Sequence, residues 1–279
     1  MKIFGVDFTS KPAKAKPITC AQARLKYGIL NIQGLDELLS FRDFEDLLSF
    51  RGPWVAGMDF PFGQSRRFIN NMGWPEDWEH YVAGVNAMDR GEFVHLLEAY
   101  KADRPYGDKE HKRAIDQRAS SISPQKLYGV PVGKMFYEGA PRLLNSPASI
   151  IPMRMNADSR VIIEAYPSII ARRYIDRRSY KNDTPAKQTE ALEQARRDII
   201  SGIQSAGFRD IYGFDLFLPD AITEICIEDA TGDRLDAVLC CVQAAWAWGR
   251  RDQGYGVPND VDLAEGWITD PLFETKAGQ

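Results

Sequence analysis

Three apolar runs each carry an acid to their end and then break, and this pattern restricts the possible folds of the chain more than any other. Ile3-Phe4-Gly5-Val6-Asp7-Phe8 stops at Thr9-Ser10-Lys11-Pro12. Trp54-Val55-Ala56-Gly57-Met58-Asp59-Phe60 stops at Pro61-Phe62-Gly63, and Val161-Ile162-Ile163-Glu164-Ala165-Tyr166 stops at Pro167. Near-continuous apolar runs of this length read as buried strands, and a following proline takes the chain out of the sheet. Open α/β sheets place their ligands at the carboxyl ends of such strands. Aligned side by side, the runs would bring Asp7, Asp59 and Glu164 together, and clustered like charges require a cation.

The stretches between these runs set an order. Residues 17–25 and 27–32 read as two further strands, reversed near Lys26 to Gly28, which makes an antiparallel three-strand start. Leu35, Leu38, Leu39, Phe41, Phe44, Leu47, Leu48 and Phe50 recur at helical spacing, so an amphipathic helix is expected to lead into the Asp59 strand. Residues 64–157 change character, being rich in Trp, Tyr, Arg and Lys and broken by prolines. They read as a large, mostly helical insertion over the sheet, with helices near 78–89 and 92–101. A segment that long is functional or separately ordered. Its middle holds Lys101, Arg104, Lys109, His111, Lys112, Arg113, Arg118, Lys126 and Lys134, interleaved with Tyr100, Tyr106 and Tyr128. Basic and aromatic residues so mixed suit a nucleic-acid backbone. Helices are then expected over 168–178, with Arg172, Arg173, Arg177 and Arg178, over 185–206, and over 231–246, the last almost wholly buried.

Bulk properties bound the class. At 279 residues the chain can bury a full core, as one large domain or two small ones, and a single domain over 1–279 with the insertion inside it is the simplest reading. A net charge of −4 argues against coating nucleic acid through global charge, though not against a local basic groove. The four cysteines, Cys20, Cys226, Cys240 and Cys241, form no CxxC pair, which argues against structural zinc or a disulfide framework and for reduced, buried thiols. Asp7 interrupts the first apolar run before a signal peptide could form, and no stretch reaches the length of a membrane span. A soluble, cytoplasmic protein without membrane partners is the expectation.

Asp233 and Asp236 share one helical face, a turn from the start of the last buried helix. Asp233 is open to two readings, a helix cap or a site residue. Asp236 lies against the apolar Ala237-Val238-Leu239-Cys240-Cys241-Val242 run, and a buried carboxylate needs a partner, either an arginine or a cation. Oxygen ligands suit hard cations such as Mg²⁺ or Mn²⁺, and two such ions together promote in-line phosphoryl displacement. His80, His95 and His111 have no nucleophile context and read as surface or packing residues. The arginines of 172–178 read either as a solvated helix face or as a phosphate clamp.

The ordering of these acids resembles the ribonuclease H-like fold: an Asp on the first strand of an antiparallel trio, an acid on the fourth strand, another on a later strand and an Asp near the start of a C-terminal helix. Asp233-Arg234-Leu235-Asp236-Ala237 is similar to the DxxDA helix of Holliday-junction resolvases in that superfamily. Gly5-Val6-Asp7-Phe8, Met58-Asp59-Phe60-Pro61-Phe62-Gly63, Glu164-Ala165-Tyr166-Pro167, Asp236-Ala237 and Glu265-Gly266-Trp267-Ile268 look like an uncharacterised family of predicted ribonuclease H-like nucleases. The resemblance spans nearly the whole chain and is loose in the insertion, around Arg113 and Asp116. It implies an α/β fold with a mixed sheet, an antiparallel start followed by parallel strands, flanked by helices. It also implies metal-dependent phosphodiester hydrolysis of DNA or RNA. Asp7, Asp59, Glu164 and Asp236 would be catalytic metal ligands for Mg²⁺ or Mn²⁺, with Asp233 a fifth ligand. Arg113, Asp116, Arg118, Lys126 and Arg172 would bind substrate. Two rivals remain: an actin-like ATP-binding phosphotransferase, whose first phosphate turn Asp7-Phe8-Thr9-Ser10 faintly resembles, and a non-catalytic nucleic-acid or protein-binding module. Gly254-Tyr255-Gly256 is a poor substitute for the glycine-rich adenosine motif of the first rival.

Overall fold

The computed structural model describes residues 1–274. The first apolar run forms β1 (Lys2–Asp7), followed by β2 (Ile18–Lys26) and β3 (Ile29–Leu38). β1 pairs antiparallel with β2, and β2 with β3, as the tight reversal at Tyr27-Gly28 requires; both turn residues have positive φ. After α1 (Phe41–Ser49), β4 (Trp54–Asp59) lies parallel to β1. The helical stretch contains α2 (Arg66–Met72), α3 (Trp78–Asn86), α4 (Arg90–Ala102), α5 (Ala114–Ala119) and α6 (Val132–Asn145). β5 (Ser149–Ile151) and β6 (Arg160–Glu164) then extend the sheet in parallel. The last third runs through α7 (Ser168–Ile175), α8 (Glu190–Ile203), α9 (Ala206–Tyr212), β7 (Asp215–Phe217), α10 (Asp220–Glu228) and α11 (Asp233–Gly249).

The result is a seven-stranded mixed sheet in the order β5-β6-β4-β1-β2-β3-β7. Each face carries its own apolar cluster. Ile3, Val55, Val161 and Ile163 face α7 to α11, while Phe4, Val6, Met58 and Ile162 face α1 and the helices of the 64–157 stretch. This alternation is the period-2 geometry of a strand buried on both sides. No helix among the described residues is long and apolar enough to cross a membrane. All four cysteines are buried and free.

Four elements depart from the sequence expectations. Leu35 and Leu38 belong to β3, paired opposite Ala21 and Ile18, so the helix begins later. Ser40 starts it: its hydroxyl accepts from the Asp43 amide, and the Asp43 carboxylate accepts from the Ser40 amide. This reciprocal cap outweighs the leucine spacing upstream. β5 lies within residues 64–157, so the end of that stretch is an edge strand of the sheet. β7 and α10 had no counterpart in the sequence reading, since three residues of strand carry too little periodicity to register.

Two glycines decide how closely α11 meets the sheet. Gly5 and Gly57 are register partners on β1 and β4. A Cβ on Gly5 would lie 2.0 Å from the Ala237 carbonyl oxygen, and one on Gly57 would lie 2.5 Å from that of Cys240. Only a residue without a side chain lets the helix backbone come this near.

Candidate metal centre

The same register sets the acids. Asp7 and Asp59 are direct partners across the parallel β1–β4 pair, two residues beyond the glycines and therefore on the same face, under α11. The close approach at Gly5 and Gly57 lowers the first turn of α11 onto the strand ends, and Asp236 reaches them from above. One carboxylate oxygen from each of Asp7, Asp59 and Asp236 lies within 4.8 Å of the other two. Asp7 is 9% exposed and Asp236 fully buried. Among the described residues no hydrogen-bond donor reaches the carboxylate of Asp7. Burial, followed by the charges of Asp233, Asp236 and Asp59, pushes the Asp7 carboxyl well above the usual carboxylate range, although Lys181 opposes the shift. Burial and then Asp236 push Asp59 up to about 7.

Two neighbours that were not anticipated hold Asp236. The Tyr180 hydroxyl donates to Oδ1 at 2.6 Å, and the Lys181 ammonium donates to Oδ2. Burial opposes the charge on Lys181 more than any single neighbour favours it, but Asp236, Tyr180, Asp7 and Asp59 together outweigh burial and hold the ammonium well above its ordinary value. Both residues lie in the irregular segment after α7, where no periodicity marks them out. A Tyr-Lys pair shortly downstream of the Glu164 strand is the only signal the sequence offered.

Glu164 does not join the three aspartates. Its register partner on β4 is Met58, not Asp59, so it points to the opposite face of the sheet. A one-residue offset flips a side chain across a sheet. There it meets Arg113: Nη2 donates to Oε1 at 2.5 Å, Nη1 to Oε2 at 2.7 Å, and the Phe62 amide to Oε2 at 3.0 Å. Glu164, expected as a metal ligand, is placed in a buried ion pair with Arg113 and outside the three-aspartate group.

Arg113 and Asp116 are corrected with it. Arg113 is 1% exposed and is clamped from its other side by Asp116, with Nε to Oδ2 and Nη2 to Oδ1 both at 2.9 Å. A guanidinium whose donors are spent on Glu164, Asp116 and the Glu265 carbonyl has none left for substrate. Asp233 is likewise occupied, by Lys16 at 2.8 Å, and lies outside the three-acid group. It is not the helix cap either. Gly232 stands at that position, and the Asp229 carboxylate accepts from the amides of Thr231 and Arg234. Glu265 accepts from the first amides of α2 and α5, Arg66 at 2.7 Å and Ala114 at 2.8 Å, so it ties two helix starts together.

Arg118, Lys126 and Arg172 stay at the surface. Arg118 lies over the Trp267 ring, Lys126 over Tyr128, and Arg172 donates to the Tyr166 hydroxyl at 3.1 Å. Tyr166 lines a cavity of about 300 Å³ with Phe60, Ile122, Met135, Asp59 and Lys181, and the Arg113, Asp116 and Glu164 network lines the same cavity. A second cavity of about 450 Å³, lined by Asp7, Thr9, Ser10, Lys16, Asn182 and Asp233, shares Asp59, Val130, Met135 and Lys181 with the first. Asp59 thus lines both hollows and Asp7 the second, while the buried Asp236 lines neither.

No protein family, curated protein or solved structure matches the chain. The assignment of a function therefore rests on the geometry alone.

Proposed function

We propose that the chain is a metal-dependent phosphodiester hydrolase with a ribonuclease H-like architecture, acting on nucleic acid. The observation that carries this reading is Asp7, a residue 9% exposed whose carboxylate meets no hydrogen-bond donor among the described residues and has an oxygen within 4.8 Å of one from each of Asp59 and Asp236. An arrangement that costs so much when left bare is what a bound cation relieves. The strand order β3-β2-β1-β4-β6, antiparallel at one end and parallel at the other, also supports it, as does the placement of the acids on β1, β4 and the first turn of α11.

The donor set suits a hard divalent ion, since it offers carboxylate oxygens without thiol or imidazole. Asp7, Asp59 and Asp236 would hold Mg²⁺ or Mn²⁺, which supplies an activated water and charge neutralisation at the phosphate. The rest of the work falls to the chain. The Tyr180 hydroxyl fixes the orientation of Asp236. Phe60, Ile122, Met135 and Tyr166 offer an apolar wall for the sugar or base beside the phosphate. Thr9, Ser10 and Lys16 line the polar hollow on the other side, where the phosphate backbone would run. The exposed Arg172 and the half-buried Lys126 are cations for neighbouring phosphates, a contribution that weakens with salt.

The test is cleavage of mixed DNA and RNA substrates, single and double stranded, with Mn²⁺ or Mg²⁺, by the wild type and by Asp7→Asn. Cleavage that needs the metal and disappears in the variant supports the reading. ATP hydrolysis in place of nucleic-acid cleavage would move the chain to the actin-like alternative. Nucleic-acid binding that neither needs metal nor changes in Asp7→Asn would make it a binding module.

A further inference from the structure

Lys181 brings a positive charge into direct contact with the three-aspartate group. Its ammonium donates to Asp236 Oδ2, and it lines one cavity together with Asp7 and Asp59. It lines both cavities, so it faces whatever lies between them. The position is built rather than incidental. A Cβ on Gly232 would lie 2.8 Å from the Lys181 Cβ, so the lysine stem packs directly on the residue that opens α11. The next residue is tied to the same element, with the Asn182 amide donating to the Ala230 carbonyl at 3.0 Å. Of the nearby acids, Asp233 is held by Lys16 and Glu164 by Arg113. With its three carboxylates ionised, as binding to a cation requires, the open site sets one ammonium against them and leaves two negative charges. One divalent ion balances them, whereas two would leave the site strongly positive.

We infer that the site takes a single divalent ion and that Lys181 is a catalytic residue doing the electrostatic work of a second one. The inference rests on the metal-dependent reading proposed above. In hydrolysis a water oxygen bonds to phosphorus and the bond from phosphorus to the leaving sugar oxygen breaks. The attacking water loses a proton to solvent, the leaving oxygen gains one from solvent, and the products are a phosphomonoester and a hydroxyl. Lys181 keeps its own proton throughout. Its charge lies against the phosphoryl oxygens, where negative charge grows in the transition state.

The experiment is a Mn²⁺ titration followed by calorimetry and by spin counting, on the wild type, Lys181→Met and Lys181→Arg, with cleavage rates from the same preparations. The expected result is one ion per wild-type chain and two per Lys181→Met chain. Cleavage by Lys181→Met should fall by about 100-fold in kcat at Mn²⁺ levels that fill one site, with KM little changed, and recover as the second ion binds, while Lys181→Arg retains most of it throughout. Two ions per wild-type chain would overturn the inference and leave the metal-dependent reading standing. Unchanged stoichiometry with unchanged kcat in Lys181→Met would do the same. No ion bound by the wild type would overturn the metal-dependent reading itself, and the inference with it.

Discussion

Replacing Arg113 with methionine separates a structural role for Glu164 from a metal-binding one. The guanidinium makes two hydrogen bonds to Glu164, two to Asp116 and one to the Glu265 carbonyl, all buried. Methionine fills much of the volume but leaves two carboxylates, 2% and 1% exposed, without a counter-charge. Removing one partner of a buried ion pair costs about 3–5 kcal/mol, because the charge left behind keeps its desolvation penalty. In a chain of this size that corresponds to a fall in Tm of about 6–12 °C. Thermal and urea denaturation at pH 7.5 would measure it, with and without 5 mM Mg²⁺ (about 5 mM is ample for a weak site). Glu164 faces away from the aspartates, so the loss should be the same in both conditions. A variant within about 1 kcal/mol of wild type would refute the reasoning. So would a variant fully restored by Mg²⁺, since Glu164 would then be a ligand.

Other consequences follow from the same charges. In the metal-free protein, Asp59 in the folded state titrates near 7 against 3.8 for the free group, and Asp7 is shifted the same way. The folded protein thus holds protons that the unfolded chain has lost between about pH 4 and 7, so stability should fall as pH rises through that window, by up to about 4 kcal/mol, and level off above it. Saturating Mg²⁺ should flatten or invert the slope, which Tm measured from about pH 3.5 to about pH 7.5, a span that contains the free and folded values of Asp59, would detect; a flat metal-free profile would count against the cluster. Asp7→Asn should raise the stability of the metal-free protein by about 1–2 kcal/mol at pH 7.5 by removing one of the repelling charges, and a loss in urea denaturation would be the contrary result. Gly5→Ala should cost about 3 kcal/mol or more, since its Cβ meets helix backbone at 2.0 Å, and circular dichroism melting would read the loss.

Much of the fold was legible because the strands are long enough to state their period. β1, β4 and β6 announce themselves as apolar runs, and the turn at Tyr27-Gly28 fixes the antiparallel start. The echo between Gly5-Val6-Asp7-Phe8 and Gly57-Met58-Asp59-Phe60 contained more than it first offers. The two segments lie side by side in register, so the glycines admit the helix and the aspartates meet beneath it. The assignment of Asp7, Asp59 and Asp236 to one place was accessible for that reason. Glu164 was misread because a sequence gives the acid at a strand end but not the register of the strand beside it, and one residue of offset sends it to the other face. Arg113 was misread because its basic surroundings suggest solvent and phosphate. The i, i+3 pairing with Asp116 was the available hint of an internal partner. Lys181 could not be foreseen, because it reaches the site from an irregular segment whose path depends on tertiary packing alone.

The most direct measurement is an anomalous difference map from a crystal soaked in Mn²⁺. The account predicts a peak bounded by the carboxylates of Asp7, Asp59 and Asp236, with Glu164 still paired to Arg113. A peak at Glu164, or none between the three aspartates at a Mn²⁺ concentration that supports cleavage, would contradict it.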